Sequence, residues 1–199
     1  LNRIKNDKLG WEKSKEINLG LDFAFWGGRL AGNVELYNKK TYDLILSQKI
    51  PQTNGFDNVG AVNVGATRNK GLEIGLNTVN IQTKDFSWTT NLSFATNKNE
   101  ITEIFGDSKD YPDQKLFIGQ PVLVHYDYAW DGIWQTSEKD EASKYGRLPG
   151  AVKEVDQDNS GTITPDKDRV ILGTPFPDWT GSITNTFTYK DFDFSVFAI

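Results

Sequence analysis

The sequence predicts an all-β chain, a segment of an antiparallel transmembrane β-barrel with long extracellular loops. Three observations carry that prediction. Apolar residues recur with a period of two, the alternating segments are long, and the connections between them alternate between short and long. Side chains of a strand point to opposite faces in turn, so each alternating segment has one apolar face and one polar or small face. Helical spacing does not compete over a comparable window.

The elements follow in order. In "INLGLDFAFW", Ile17, Leu19, Leu21, Phe23 and Phe25 share a face against Asn18, Gly20, Asp22 and Ala24. The turn "GGR" (27–29) leads into a second segment, 30–44, and a long connection is expected over roughly 46–66. "GLEIGLN" sets Leu72, Ile74 and Leu76 on one face of a third strand, 69–80. "QTKD" (82–85) turns into "FSWTTNLSF", with Phe86, Trp88, Leu92 and Phe94 opposite Ser87, Thr89, Asn91 and Ser93. After a very long connection, 98–177, "WTGSITNTFTY" places Trp179, Ile183, Phe187 and Tyr189 against Thr180, Ser182, Thr184, Thr186 and Thr188. "KD" (190–191) leads to "FDFSVFA", with Phe192, Phe194 and Val196 in phase.

Soluble strands usually run about 5–6 residues, whereas a membrane strand needs about 9–11. Segments 14–26, 30–44, 69–80, 86–97 and 178–189 reach that range. Tight turns at one end and long loops at the other are the asymmetry of a bacterial barrel, whose short turns face the periplasm. Phe25, Trp26, Phe86, Tyr189 and Phe192 lie near strand ends, where an interfacial aromatic girdle would sit. Strand parity then sends all of 98–177 to the extracellular side, including "PVLVHYDYAWDGIW", which reads as one ribbon with Val122, Val124, Tyr126, Tyr128 and Trp130 on one side. The expected organisation is barrel strands over 1–97, an extracellular excursion over 98–177 and a further barrel hairpin over 178–199. The competing reading is a soluble, calcium-stabilised β-sandwich that binds carbohydrate.

Composition narrows the classes. The chain has 199 residues, with 22 Lys+Arg against 27 Asp+Glu, so no basic field invites nucleic acid. It has no cysteine, which removes thiol catalysis, disulfides and zinc–thiolate sites. No stretch approaches the roughly 18 apolar residues of a membrane helix. The lack of any Met and the apolar ending "FSVFAI" read as the cut ends of a piece of something larger.

One loop stands apart. In "DQDNSGTITPDKD" (156–168), Asp156, Asp158 and Ser160 occupy positions 1, 3 and 5 of a calcium loop. Gly161 stands at the turn position 6, and the Thr162 carbonyl at position 7. Position 12 is Lys167, flanked by Asp166 and Asp168. The loop is either a structural Ca2+ site or an Asx-rich turn held by its own hydrogen bonds. Tyr126, Tyr128, Trp130 and Trp134, with Asp127 and Asp131, are candidate contacts for a sugar or a partner, the alternative being packing within the loop region itself. His125 is the only histidine and has no nucleophile motif beside it. Arg68 and Lys70 in "GATRNKG" read as strand-end charges near a membrane face. No constellation supports an enzyme.

The blocks "LGWEKSKEINLGLDFAFWGGRLAGNVELYNKKTYDLIL", "NVGATRNKGLEIGLNT", "KDFSWTTNLSFATNKNEI", "IGQPVLVHYDYAWDGIWQ" and "DQDNSGTITPDKDRVILGTPFPDWTGSITNTFTYKDFDFSVF" resemble, in this order, the SusC/RagA-like TonB-dependent outer-membrane transporters. The resemblance covers essentially the whole chain and corresponds to the C-terminal part of the barrel. It implies a parent barrel of about 22 strands with a plugged lumen. Such proteins import glycans, oligosaccharides or peptides into the periplasm of Bacteroidetes. They draw energy through TonB and carry a SusD-like lipoprotein as an outer cap. The plug and the TonB-contacting segment belong to the N-terminal half and lie outside these residues. The family's loop carries an acid at position 12 followed by Arg. Here "DKDR" has one extra residue, so either Asp168 or Asp166 takes that place.

Overall fold

The computed structural model describes the backbone of residues 3–4, 6–49 and 58–199. The chain divides into two compact units, Leu1–Val122 with Phe176–Ile199, and Leu123–Pro175.

The first unit is a seven-stranded sheet. Its strands are β1 (Arg3–Ile4), β2 (Lys13–Phe25), β3 (Leu30–Lys49), β4 (Asn58–Gln82), β5 (Phe86–Ile104), β10 (Thr180–Tyr189) and β11 (Phe192–Ala198). Their order is β11-β10-β5-β4-β3-β2, antiparallel throughout, with β1 pairing parallel to β4. The β2–β3 turn is built from left-handed residues, Trp26 (φ 54°), Gly27 (φ 69°) and Gly28 (φ 87°), a conformation in which glycine is unstrained.

The register resolves what alternation alone implied, because directly opposed residues share a face. Leu21, Val34, Ile74 and Phe94 form one cross-strand row. Phe23, Gly32, Leu76, Leu92 and Ile183 form the next. Toward the short turns the rows become aromatic: Trp88, Phe187 and Phe194, then Phe86, Tyr189 and Phe192. Trp88 stacks on Phe187 at 5.6 Å, and Phe187 on Phe194 at 6.4 Å. This face is open, with Leu19 70% and Leu21 65% exposed. Its few polar groups satisfy one another. Asn80 Nδ2 donates to Thr90 Oγ1 at 2.7 Å, and Thr90 Oγ1 and Trp88 Nε1 donate to Asn185 Oδ1 at 2.7 and 3.0 Å. Paired in this way, they can face an apolar medium without the penalty of unmade hydrogen bonds.

The opposite face is hydrophilic. Asp22 and Asn33, Glu35 and Glu73, Asn77 and Asn91, Ser93 and Ser182, and Thr186 and Ser195 oppose one another across it. Near the short turns it holds a hollow of about 240 Å³ lined by Asn77, Thr89, Asn91, Thr184 and Thr186, among others. One face suited to lipid and one to water, over strands of membrane length, is the construction of a transmembrane barrel wall. The sandwich reading fails here. The only other sheets among the described residues are two two-stranded ribbons, too small to form an opposing layer.

The strands run further than the alternation predicts. β3 has 20 residues and β4 has 25, roughly twice a membrane crossing. The long connection expected over 46–66 is strand at 46–49 and at 58–66; residues 50–57 lie outside the described residues. The cause is a bulge: Asp43 has φ 58° and the register slips between Tyr42 and Leu44, which flips the face on which later residues fall. β5 likewise runs on to Ile104, and residues up to Val122 stay with the sheet unit. There Ala66, Ile101, Ile104 and Phe117 are buried and make the unit's small core.

Candidate functional site

The second unit, Leu123–Pro175, carries every sequence-predicted contact and metal residue. β6 (His125–Tyr128) pairs with β9 (Arg169–Gly173), and β7 (Trp130–Ile133) pairs with β8 (Val152–Glu154). The expected single ribbon over 122–130 is therefore two. The chain changes sheets at Ala129, whose carbonyl accepts the Val155 N–H at 2.9 Å. A capping box, in which Gln135 and Glu138 bond each other's backbone, leads into α1 (Lys139–Lys144). A single turn, α2 (Pro165–Asp168), precedes β9.

The loop 156–168 is ordered by its own carboxylates. Asp156 Oδ1 accepts the Ser160 N–H at 3.1 Å, and Oδ2 accepts the Gly161 N–H at 2.7 Å. Asp158 Oδ1 accepts the same Ser160 N–H at 3.2 Å. Asn159 (φ 56°) and Gly161 (φ 81°) take the left-handed conformations that fold these N–H groups inward. Ser160 Oγ donates to the Thr162 carbonyl at 3.0 Å. Asp168 is fully buried. Its Oδ1 accepts Gln157 N–H at 2.9 Å, and its Oδ2 accepts Thr164 N–H at 2.6 Å.

Carboxylate oxygens of Asp156, Asp158 and Asp168 all lie within 4.8 Å of one another. Oxygens sharing one calcium at about 2.3–2.6 Å can be at most roughly twice that apart, so this spacing suits a common cation. Asp166 is exposed and outside the cluster. The turn α2 (Pro165–Asp168) ends at Asp168 and brings that carboxylate, not Asp166, into the cluster.

Electrostatics favour the ionised form of Asp156. Burial alone would push the Asp156 carboxyl up. The hydrogen bonds from Gly161 and Ser160, with the Asp158 and Tyr145 side chains, outweigh it and hold the carboxyl below its ordinary range. The bond from Gln135 N–H, then the Lys153 ammonium, hold Glu138 low as well.

The aromatic candidates divide. Trp134 is buried; it stacks on Tyr145 at 6.0 Å and carries Lys153 Nζ over its ring at 4.6 Å. Trp134 therefore packs within the unit. Tyr128 is half-buried beneath the Arg169 guanidinium at 5.3 Å, and Tyr126 is also half-buried. Trp130 is 70% exposed, and Asp127, Asp131 and His125 are also at the surface. Sequence reasoning missed Tyr145, whose hydroxyl donates to Asp156 Oδ2 at 3.3 Å and ties α1 to the loop; no local pattern marks it.

Comparison with known proteins places the chain. Residues 2–198 match the family model described as TonB dependent receptor-like, beta-barrel. The chain is 34% identical over 210 residues to TonB-dependent receptor P26 of Formosa agariphila, covering 99% of this chain and 21% of that protein. It is 35% identical over 198 residues to TonB-dependent receptor SusC of Bacteroides thetaiotaomicron, covering 96% and 19%. Among solved structures, the RagAB peptide transporter superposes with a TM-score of 0.71 at 24% identity, covering 98% of this chain and 21% of that one. The RagAB peptide importer in its "open-open" state gives a TM-score of 0.74 at 22% identity, again covering 98% and 21%. At those identities the structures establish a shared fold. The chain spans about a fifth of the curated relatives' length.

Proposed function

The chain belongs to the TonB-dependent receptor-like β-barrel family, and on that premise we propose that it forms a C-terminal stretch of wall in an outer-membrane importer. The substrate class is a glycan, oligosaccharide or peptide delivered to the periplasm. The relatives are receptors and not enzymes, and this chain is likewise a transporter segment with no catalytic role. One observation carries the reading. A continuous apolar face of membrane-crossing length backs directly onto a hydroxyl-, amide- and carboxylate-lined face, as a lipid-bathed wall around a wet lumen requires. Energy would come through TonB, by way of the segment that precedes this chain in the parent protein. A SusD-like surface lipoprotein would cap the long-loop side; the likeness to SusC and to RagAB supports that pairing. Tyr126, Asp127, Tyr128, Trp130 and Asp131 are the surface from which the inserted unit would touch cargo or cap. The full-length protein should fractionate with outer membranes and need detergent for release, and cells lacking it should lose uptake of their oligosaccharide or peptide. Recovery of the full-length protein in the soluble fraction would overturn the reading.

We further propose that the loop 156–168 holds a structural Ca2+. Asp156, Asp158 and Asp168 would supply carboxylate oxygens, with Ser160 and Thr162 completing the oxygen set. The convergence of three carboxylates favours this over a bare Asx turn. Its part would be to stiffen an exposed loop, since a ligand bound only by the folded state stabilises it. Replacing Asp156 and Asp158 by Ala removes hydrogen bonds as well as ligands, so it should lower the melting temperature in both conditions, and by clearly more in calcium than in EDTA. An equal loss in both conditions would mean that no ion is bound.

A further inference from the structure

The outer, apolar face of the sheet ends in cations. Going away from the short turns, the first charged residue on that face is Lys15 on β2, Lys40 on β3, Lys70 on β4 and Lys98 on β5. The apolar run beneath them, Ile17 to Phe25 on β2 or Phe86 to Phe94 on β5, matches the about 9–11 residues of a tilted crossing. At about 3.4 Å per residue and a tilt of 35–45°, such a run spans about 20–25 Å, the height of a barrel's apolar band. The lysines therefore fall at the level where hydrocarbon gives way to headgroups, on the leaflet at the long-loop end.

Their arrangement is unfavourable by itself. Lys15 stands directly opposite Lys40, Lys40 opposite Arg68, and Lys70 opposite Lys98. Like charges in direct cross-strand register destabilise a sheet. Arg68 is relieved by Glu100 at 3.2 Å, and Lys13, one row further on, by Asp43 at 2.8 Å. Among the described residues, Lys15, Lys40, Lys70 and Lys98 have no ion pair, and all are exposed. An uncompensated row of ammonium groups at headgroup depth calls for anions from outside the protein.

We propose that this belt docks the phosphate-bearing headgroups of lipid in the outer leaflet, with the ammonium groups of adjacent strands sharing phosphates across each like-charged pair. The inference rests on the membrane-spanning reading above. Long Lys stems suit the place, lying along the apolar surface with the charge in the interfacial zone, and each cation near an anionic surface adds to binding.

The test uses the full-length protein in detergent, titrated with phosphorylated lipid A and with the same glycolipid stripped of its phosphates. The wild type should bind the phosphorylated form roughly tenfold tighter or more. Joint substitution Lys15→Gln, Lys40→Gln, Lys70→Gln and Lys98→Gln should erase that preference, whereas the matching set of Lys→Arg changes should keep it. Should the Gln set fail to assemble, the wild-type preference must still shrink as salt rises from about 50 to 500 mM. Equal binding of the two glycolipids, a preference that survives the Gln set, or one indifferent to salt overturns the proposal. Detergent dependence of the wild type reports separately on whether the protein spans a membrane.

Discussion

The two units of this chain are held together by opposite means. In the sheet unit the large apolar side chains lie on the outside, with Leu19 70% and Phe194 64% exposed, and buried residues cluster only past the apolar band. In the inserted unit the deepest groups include a charge, Asp168, fixed by backbone N–H donors, and an indole, Trp134, clasped between Tyr145 and Lys153. The first is a wall whose solvent completes it. The second must supply its own interior, and does so with a few packed side chains, Trp134 and Ala142, beside the hydrogen-bonded carboxylate of Asp168.

The two faces of the wall differ most in their tolerance of charge. Leu76→Arg, midway along the apolar face of β4, should cost about 2–4 kcal/mol. It should cut the yield of folded full-length barrel, measured by heat-modifiable mobility. The same change at Ser93, on the hydrophilic face, should leave that yield near wild type. Comparable losses at both positions would remove the distinction between the faces.

Within the inserted unit the largest effect belongs to Asp168. Asp168→Ala strands the N–H groups of Gln157 and Thr164, at about 1–3 kcal/mol for each buried donor left unmade. Asp166→Ala, at an exposed position, should stay within about 0.5 kcal/mol. Hydrogen exchange over 156–168 should rise for the first and hold for the second.

The smallest effect is one of pH. Asp156 is held below its ordinary range when folded, so the unfolded chain binds the proton more readily. Its contribution is therefore complete above the unfolded value of about 3.9 and fades as pH falls from there through the folded value. Glu138 acts in the same sense. Melting temperatures of the inserted unit should fall from pH 5 to pH 3, with a shallower slope in Asp156→Asn.

The same contrast explains what could be read in advance. Six strands of the wall were legible because lipid on one side and water on the other write a period of two into residues such as Leu72–Leu76 and Phe86–Phe94. Legibility stopped at the Asp43 bulge, where one left-handed residue reversed the phase and hid the strand continuation to Lys49. In the inserted unit, the spacing of Asp156, Asp158, Ser160 and Gly161 was visible because one local loop forms it. The choice of Asp168 over Asp166 turned on a single helical turn. Tyr145 reaching Asp156, and Trp134 turning inward, depend on packing between distant elements that leaves no periodic trace. The cation belt needed the register, since Lys15, Lys40, Lys70 and Lys98 are neighbours only once the strands are paired.

A transmembrane wall requires the two faces of β4 to meet different media. Single spin labels placed by Cys substitution at Leu72, Glu73, Ile74, Asn77 and Leu76 of the full-length protein in bilayers would report them. Labels at 72, 74 and 76 should be relaxed by oxygen, which concentrates in lipid, and those at 73 and 77 should not. Equal oxygen exposure along the strand, or oxygen exposure at 73 and 77 instead, would contradict a wall with lipid on one side and an aqueous lumen on the other.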